Sequence, residues 1–262
     1  MNAQIRSLLR ALLSRIIKRH SILAGPLRGY PIVTSWHDYP AAIMGRTERP
    51  LLEWFERNVQ AGQTWLDIGA HYGYTAIALS RMVGVEGRVF AFEPLLSTAG
   101  YVAQTRQLNN FLQLTVVPYG LAAPETLEII SLPVTRGMVD STIGRTKDEG
   151  RTEWLETIIV ARFDWLWPRI YGTDARIDGM KIDVQGMEIE VLTGMIETLR
   201  SQHPKLVVEL HRGVDRKKFL RTIESAGYAC DATPIEPVDG EVSPLYMDDH
   251  SYFFHKPNEA GT

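Results

Sequence analysis

The chain of 262 residues has a single cysteine, Cys230, so no disulfide can close within it. A reducing, cytoplasmic setting is the simpler expectation, with Cys230 a small buried hydrophobe. Positive charge is not in excess either: 28 Lys and Arg face 31 Asp and Glu, a net charge of -3. That balance argues against a general nucleic-acid binder. Repeats and low-complexity tracts are absent. What is present, 45% hydrophobic and 23% charged residues, is the composition of one globular domain with embellishments.

The first 20 residues carry Ile5, Leu8, Leu9, Leu12, Leu13, Ile16 and Ile17 at helical spacing, interleaved with Arg6, Arg10, Arg15, Lys18 and Arg19. This pattern predicts a basic amphipathic helix. The arginines interrupt every apolar run, which argues against a signal peptide or a membrane span. Three readings follow: a helix packed on its own domain or a second subunit, a peripheral membrane anchor, or a disordered tail. Residues 21 to 49 read as an irregular lead-in that covers one side of a site, and Pro50 to Gln60 as a helix.

The organising stretch is Trp65 to Thr75. Residues 64 to 68 read as a buried strand, Gly69 to Gly73 as a tight turn and Tyr74 onward as an apolar helix, the ligand-facing corner of a doubly wound α/β sheet. Here too something is lacking. The pattern G-x-G-x-x-G is incomplete, so the turn suits a nucleoside better than a pyrophosphate. A second strand ends at Glu93, placed to accept hydrogen bonds from ribose hydroxyls. A helix from Ser97 to about Asn109 and a strand at Leu114 to Val117 follow. Strands at 127–130 and 157–160 mark an insertion over about 121–162. Phe163 to Trp167 reads as a short helix ending at Pro168, its aromatics belonging to the core. Alternation resumes with a strand at 179–183, a helix faced by Val191, Leu192, Met195, Ile196 and Leu199, and a strand at 204–211. A helix around Phe219 and closing strands at 228–231 and 252–255 complete a mostly parallel sheet with an antiparallel strand near the C-terminus.

Ligands of such sheets bind beyond the carboxyl ends of the strands. Those ends present Asp67, Glu93, Asp183, Glu209 and His211. An edge so acidic repels phosphate and favours a nucleoside bearing positive charge, which describes S-adenosylmethionine. The Glu209-x-His211 pair, with Asp183, has the mixed donors to hold Mg²⁺ or Mn²⁺; His211 could instead be a general base, or the pair a hydrogen-bonded strand end. His37, His250 and His255 read as structural.

The ordered set D-I-G-A-H-Y-G-Y-T (67–75), F-E-P (92–94), S-T-I (141–143), K-I-D-V-Q-G-M-E (181–188) and V-E-L-H (208–211) resembles the FkbM-like branch of class I S-adenosylmethionine-dependent methyltransferases. The resemblance implies O-methylation of a hydroxyl on a sugar, oligosaccharide, glycolipid or other secondary metabolite. It implies cofactor contacts at Asp67, Gly69, His71, Tyr72, Gly73, Thr75, Glu93, Pro94 and Ser141, and a catalytic carboxylate at Asp183 beside the reacting methyl. His71 stands where the family usually has asparagine, and Gln185 where it usually has glutamate. On this reading residues 1–49 are an amphipathic helix and lead-in, and residues 50–262 the methyltransferase domain. An NAD-type oxidoreductase, disfavoured by the missing glycine, and an interaction protein with a vestigial core are the alternatives.

Overall fold

The computed structural model describes residues 12–135, 138–139, 154–172, 175–238 and 246–257. The described chain begins with a hairpin, β1 (Lys18–Ser21) antiparallel to β2 (Pro31–Thr34), followed by α1 (Pro40–Met44) and α2 (Arg49–Asn58). For residues 12–20 this corrects the expected amphipathic helix. From residue 12 to 21 the chain is turn, coil and strand, because Arg19 and His20 pair with Val33 and Ile32. Residues 1–11 lie outside the described part. No helix among the described residues is long and apolar enough to cross a membrane.

The core sheet is laid down by β3 (Thr64–Ile68), α3 (Tyr74–Val83), β4 (Arg88–Phe92), α4 (Leu96–Leu108) and β5 (Leu114–Val117). The insertion follows as β6 (Gly120–Ala122), β7 (Leu127–Thr135), β8 (Met138–Val139) and β9 (Trp154–Arg162), then α5 (Phe163–Ile170). The expected stop at Pro168 is not observed; proline deletes one helix hydrogen bond, and Gly172 N–H still donates to the Pro168 carbonyl at 3.2 Å. The second half adds β10 (Gly179–Ile182), α6 (Glu188–Gly194), α7 (Ile196–Gln202), β11 (Lys205–Leu210), α8 (Arg216–Ser225), β12 (Thr233–Pro234) and β13 (His250–Phe254). The single helix expected across residues 191–199 is thus two, broken at Met195. The first closing strand lies at residues 233–234 instead of 228–231.

Seven strands form the main sheet in the order β12-β13-β11-β10-β3-β4-β5, with β13 antiparallel to β11 and the strands from β11 to β5 parallel. A parallel sheet covered on both faces needs strands apolar on both sides, which explains why β3 and β10 are almost wholly buried. One face packs on α5, α6, α7 and α8 through Phe92, Phe163, Trp167 and Phe219; the other packs on α2, α3 and α4 through Phe55, Trp65, Ile77 and Val102. Phe163 and Trp167 are core residues, as expected. The four-stranded insertion sheet, ordered β6-β9-β7-β8, lays Ile158 and Val160 against Leu95 and Ala122.

Candidate active site

The reversal of strand order between β3 and β10 opens the crevice in which doubly wound sheets bind ligands. A single pocket there is lined by the turn after β3 (Gly69, Ala70, His71), the end of β4 (Glu93, Pro94), and Asp183 with Gln185 after β10. Glu209 from β11, Tyr39 and Glu48 from the lead-in, and Ile158 and Val160 from the insertion complete its walls.

The turn is held by its own backbone. Gly69 and Ala70 N–H both donate to the Phe92 carbonyl at 3.0 Å, and Asp183 N–H donates to that of Ile68. Gly69 has φ of +82°, and a Cβ there would lie 1.8 Å from the Asp183 carbonyl oxygen. The missing side chain therefore makes room for the neighbouring strand end, in addition to any ligand.

At one end of the pocket the Glu93 carboxylate accepts from the N–H groups of His71 at 2.8 Å and Leu95 at 3.0 Å. Burial pushes its pKa up to about 8 against those two bonds. Each oxygen keeps a lone pair for a further donor. Asp67 is wholly buried beneath the turn, with Oδ2 accepting from the Thr75 hydroxyl at 2.7 Å. Its Oδ1 is 3.4 Å from Lys181 Nζ and has no hydrogen-bond partner among the described residues, which leaves acceptor capacity under the site.

Lys181 was no candidate in the sequence, yet it sits at the centre of this end of the sheet. Its ammonium, only 2% exposed, lies 3.1 Å from Asp183 Oδ2 and 3.3 Å from the Gly69 carbonyl. Burial disfavours its charge, but Asp183 and Asp67 outweigh this and hold its pKa far above the usual lysine range. Asp183 in turn is held below the usual carboxylate range, because Lys181 and His211 overcome the effect of its burial.

The other end gathers Asp183, Glu209 and His211, each with a ligand atom within 4.8 Å of the others. His211 Nε2 is 3.5 Å from Asp183 Oδ1 and 3.4 Å from Glu209 Oε1, while Nδ1 is 2.7 Å from the buried Glu188. Burial alone would lower the imidazole pKa; hydrogen bonds with Glu188 and Glu209 outweigh it and push it up to about 11. Gln185, at φ of +52°, places its amide nitrogen 2.7 Å from His211 Nε2 and 3.3 Å from Asp183 Oδ1. That contact suits a bare Nε2; a protonated ring needs the amide turned to present its oxygen. Glu48 lies on the same side, its pKa pushed up to about 7 by burial and by the charges of Glu209 and Asp183.

The anticipated residues thus fall in three places. His71, Thr75, Glu93, Pro94, Asp183 and Glu209 line the pocket with Gly69. Asp67 and His211 stand just behind it. Tyr72 packs on Tyr101 with its hydroxyl donating to Asp38 at 2.9 Å, and Gly73 caps α3, so both shape the turn from outside the pocket wall. Ser141 lies outside the described residues. Sequence reasoning missed Lys181, Glu188, Tyr39 and Glu48. A lone lysine in the buried run G-M-K-I-D is itself a signal of pairing, whereas nothing local marks Tyr39 or Glu48.

A glycine turn over a buried carboxylate, a buried glutamate at the end of β4 and an acidic far wall on this sheet define an S-adenosylmethionine-dependent methyltransferase fold. The family model described as the methyltransferase FkbM domain matches residues 67–230, and the chain belongs to that family. This membership sets aside the NAD-type reading. No curated protein matches the sequence. Similar solved structures include the methyltransferase FkbM from Methylobacillus flagellatus KT, 15% identical over 78% of this chain and 50% of that one, with a TM-score of 0.49. Aeropyrum pernix fibrillarin with bound S-adenosyl-L-methionine is 13% identical over 92% and 88% of the two chains, also with a TM-score of 0.49. A putative rRNA methylase from Clostridium thermocellum is 10% identical over 79% and 94%, with a TM-score of 0.47.

Proposed function

We propose that this methyltransferase moves the methyl group of S-adenosylmethionine to a hydroxyl of a sugar, oligosaccharide or glycolipid, with a divalent cation held by Asp183, Glu209 and His211. The observation that carries the reading is the convergence of those three donors at the acidic end of the same pocket whose other end holds Glu93.

The residues suit both groups. Glu93 would accept from the ribose hydroxyls, while Asp67 and the strand-end carboxylates offset the cofactor's sulfonium and ammonium charges. Two carboxylate oxygens and one imidazole nitrogen form a hard, mixed donor set fit for Mg²⁺ or Mn²⁺. Lys181 occupies Asp183 Oδ2, while Oδ1, on the His211 side, accepts from the Gln185 amide at 3.3 Å and faces His211, the position such a role requires. A divalent ion bound there would lower the pKa of an acceptor hydroxyl. Leu121, Ile158 and Val160 supply the apolar wall that keeps water from competing as acceptor. His211 supports a second reading as the base itself, since its pocket-side nitrogen faces the two carboxylates.

The test is transfer of labelled methyl from S-adenosylmethionine to a panel of sugars and glycolipids, with EDTA or added Mg²⁺ as paired conditions. Activity abolished by EDTA and restored by Mg²⁺ is expected. Activity indifferent to EDTA leaves His211 as the base, and no transfer to any hydroxyl acceptor defeats the proposal.

A further inference from the structure

Glu188 has no surface: its side chain is 0% exposed, at the start of α6 beneath the pocket. Its Oε1 is 2.7 Å from His211 Nδ1 and 3.1 Å from the Gly186 N–H, and its Oε2 has no partner among the described residues. Burying a carboxylate with one oxygen unbonded costs several kcal/mol, and an apolar residue of that size would pack more cheaply. The placement therefore serves something other than the core, and among the described residues the ionisable group it touches is His211.

The other groups around His211 create the need. Asp183 Oδ1 and Glu209 Oε1 lie 3.5 Å and 3.4 Å from Nε2 on the pocket side, and Gln185 reaches the same nitrogen. Arg216 touches only the backbone carbonyl of His211, at 3.0 Å. Left to Asp183 and Glu209 alone, a neutral ring would carry its proton on Nε2, towards the carboxylates, and present Nδ1 to the protein interior. Nε2 would then have no lone pair for a cation or for an acceptor's proton.

We propose that Glu188 is the positioning residue that keeps a proton on Nδ1 of His211 and so turns Nε2 to the acceptor end of the pocket, as the nitrogen from which a bound cation would displace the second proton. The inference rests on the reading of Asp183, Glu209 and His211 as the reacting end of the site. It holds whether His211 binds a cation or takes a proton, because both tasks use Nε2 and leave Nδ1–H to Glu188. No bond is made or broken at Glu188; it accepts a hydrogen bond from Nδ1 and fixes ring orientation.

The test uses the full chain. In protein labelled with ¹⁵N-histidine, a proton shared between a ring nitrogen and a buried carboxylate gives a resonance far downfield of the amides. The expected result is such a resonance correlated with His211 Nδ1, absent in Glu188→Gln and in His211→Gln. Glu188→Gln is also expected to bind Mn²⁺ about 10–100-fold more weakly by electron paramagnetic resonance, with its affinity for S-adenosylhomocysteine unchanged. Wild-type protein without the Nδ1 resonance overturns the proposal, and so does a folded Glu188→Gln chain that binds Mn²⁺ as tightly as wild type. The wild-type spectrum decides the question even if the variant does not fold. A resonance in protein that binds no Mn²⁺ upholds the Glu188–His211 pair and removes the cation reading alone.

Discussion

Lys181 is the buried cation shared by two carboxylates at the pocket end of the sheet. It lies between Asp67 and Asp183 in a buried strand end, at 3.4 Å and 3.1 Å, and holds the Asp183 carboxyl below the usual carboxylate range. Removing one partner of a buried ion cluster strands the others, at about 3–5 kcal/mol. Lys181→Met is expected to lower unfolding free energy by that amount in urea titration; a loss under about 1 kcal/mol would show that water already solvates the carboxylates. Glu93 tests the cofactor end. Glu93→Ala should abolish calorimetric binding of S-adenosylhomocysteine, because both ribose acceptors vanish and the His71 and Leu95 N–H groups lose their partner. Most of these residues were legible from the sequence, since strand ends in a parallel sheet converge by topology. Glu188 was visible only as a letter in K-I-D-V-Q-G-M-E, because its value depends on His211, which is 23 residues away.

Among the elements, β3 and β10 matter most, for the crevice lies where they meet. Their close packing requires Gly179: a Cβ there would fall 2.4 Å from the Trp65 ring. Gly179→Ala is expected to cost about 1–3 kcal/mol through overpacking, read as a lower urea midpoint with an unchanged slope. A neutral result would mean that Trp65 can shift within its cluster of Trp54 and Phe55. The strands and helices of this half were readable because glycines and apolar runs punctuate them clearly. The N-terminal hairpin was not. The leucines, isoleucines and arginines of residues 5–19 repeat at a helical period, yet at residues 18–21 the chain pairs with residues 31–34 instead. At those positions tertiary pairing overrode local periodicity. The lead-in after it was recognised as a wall of the site, but Tyr39 and Glu48 reach the pocket through a loop whose path no period encodes.

At the scale of the whole molecule, ligand and pH act on the same balance. S-adenosylhomocysteine at a hundred times its Kd should stabilise the fold by about 2.7 kcal/mol. For a chain of this size that is a rise in Tm of several degrees by differential scanning fluorimetry; no rise would mean that the pocket does not hold the nucleoside. Proton linkage has a definite sign. Glu93 titrates near 8 when folded against 4.5 otherwise, and Glu48 near 7. The folded chain therefore binds more protons than the unfolded one between those values, so stability is full below about 4.5 and is lost as pH rises through 7 and 8. Tm should fall steadily from about pH 5 to 9, and Glu93→Gln, which cannot ionise, should flatten that fall. A wild-type Tm that rises over this range would contradict the buried state of both acids.

The sequence by itself determined the sheet, the glycine turn, the family and the line of carboxylates at the strand ends, because period, punctuation and spacing are local and topology turns them into a site. Tertiary structure alone decided how those charges are shared: Lys181 between two aspartates, Glu188 behind His211, Glu48 folded in from the lead-in. Charge compensation acts over a few ångströms in space, and residues that meet there are separated by up to 161 positions, from Glu48 to Glu209, along the chain.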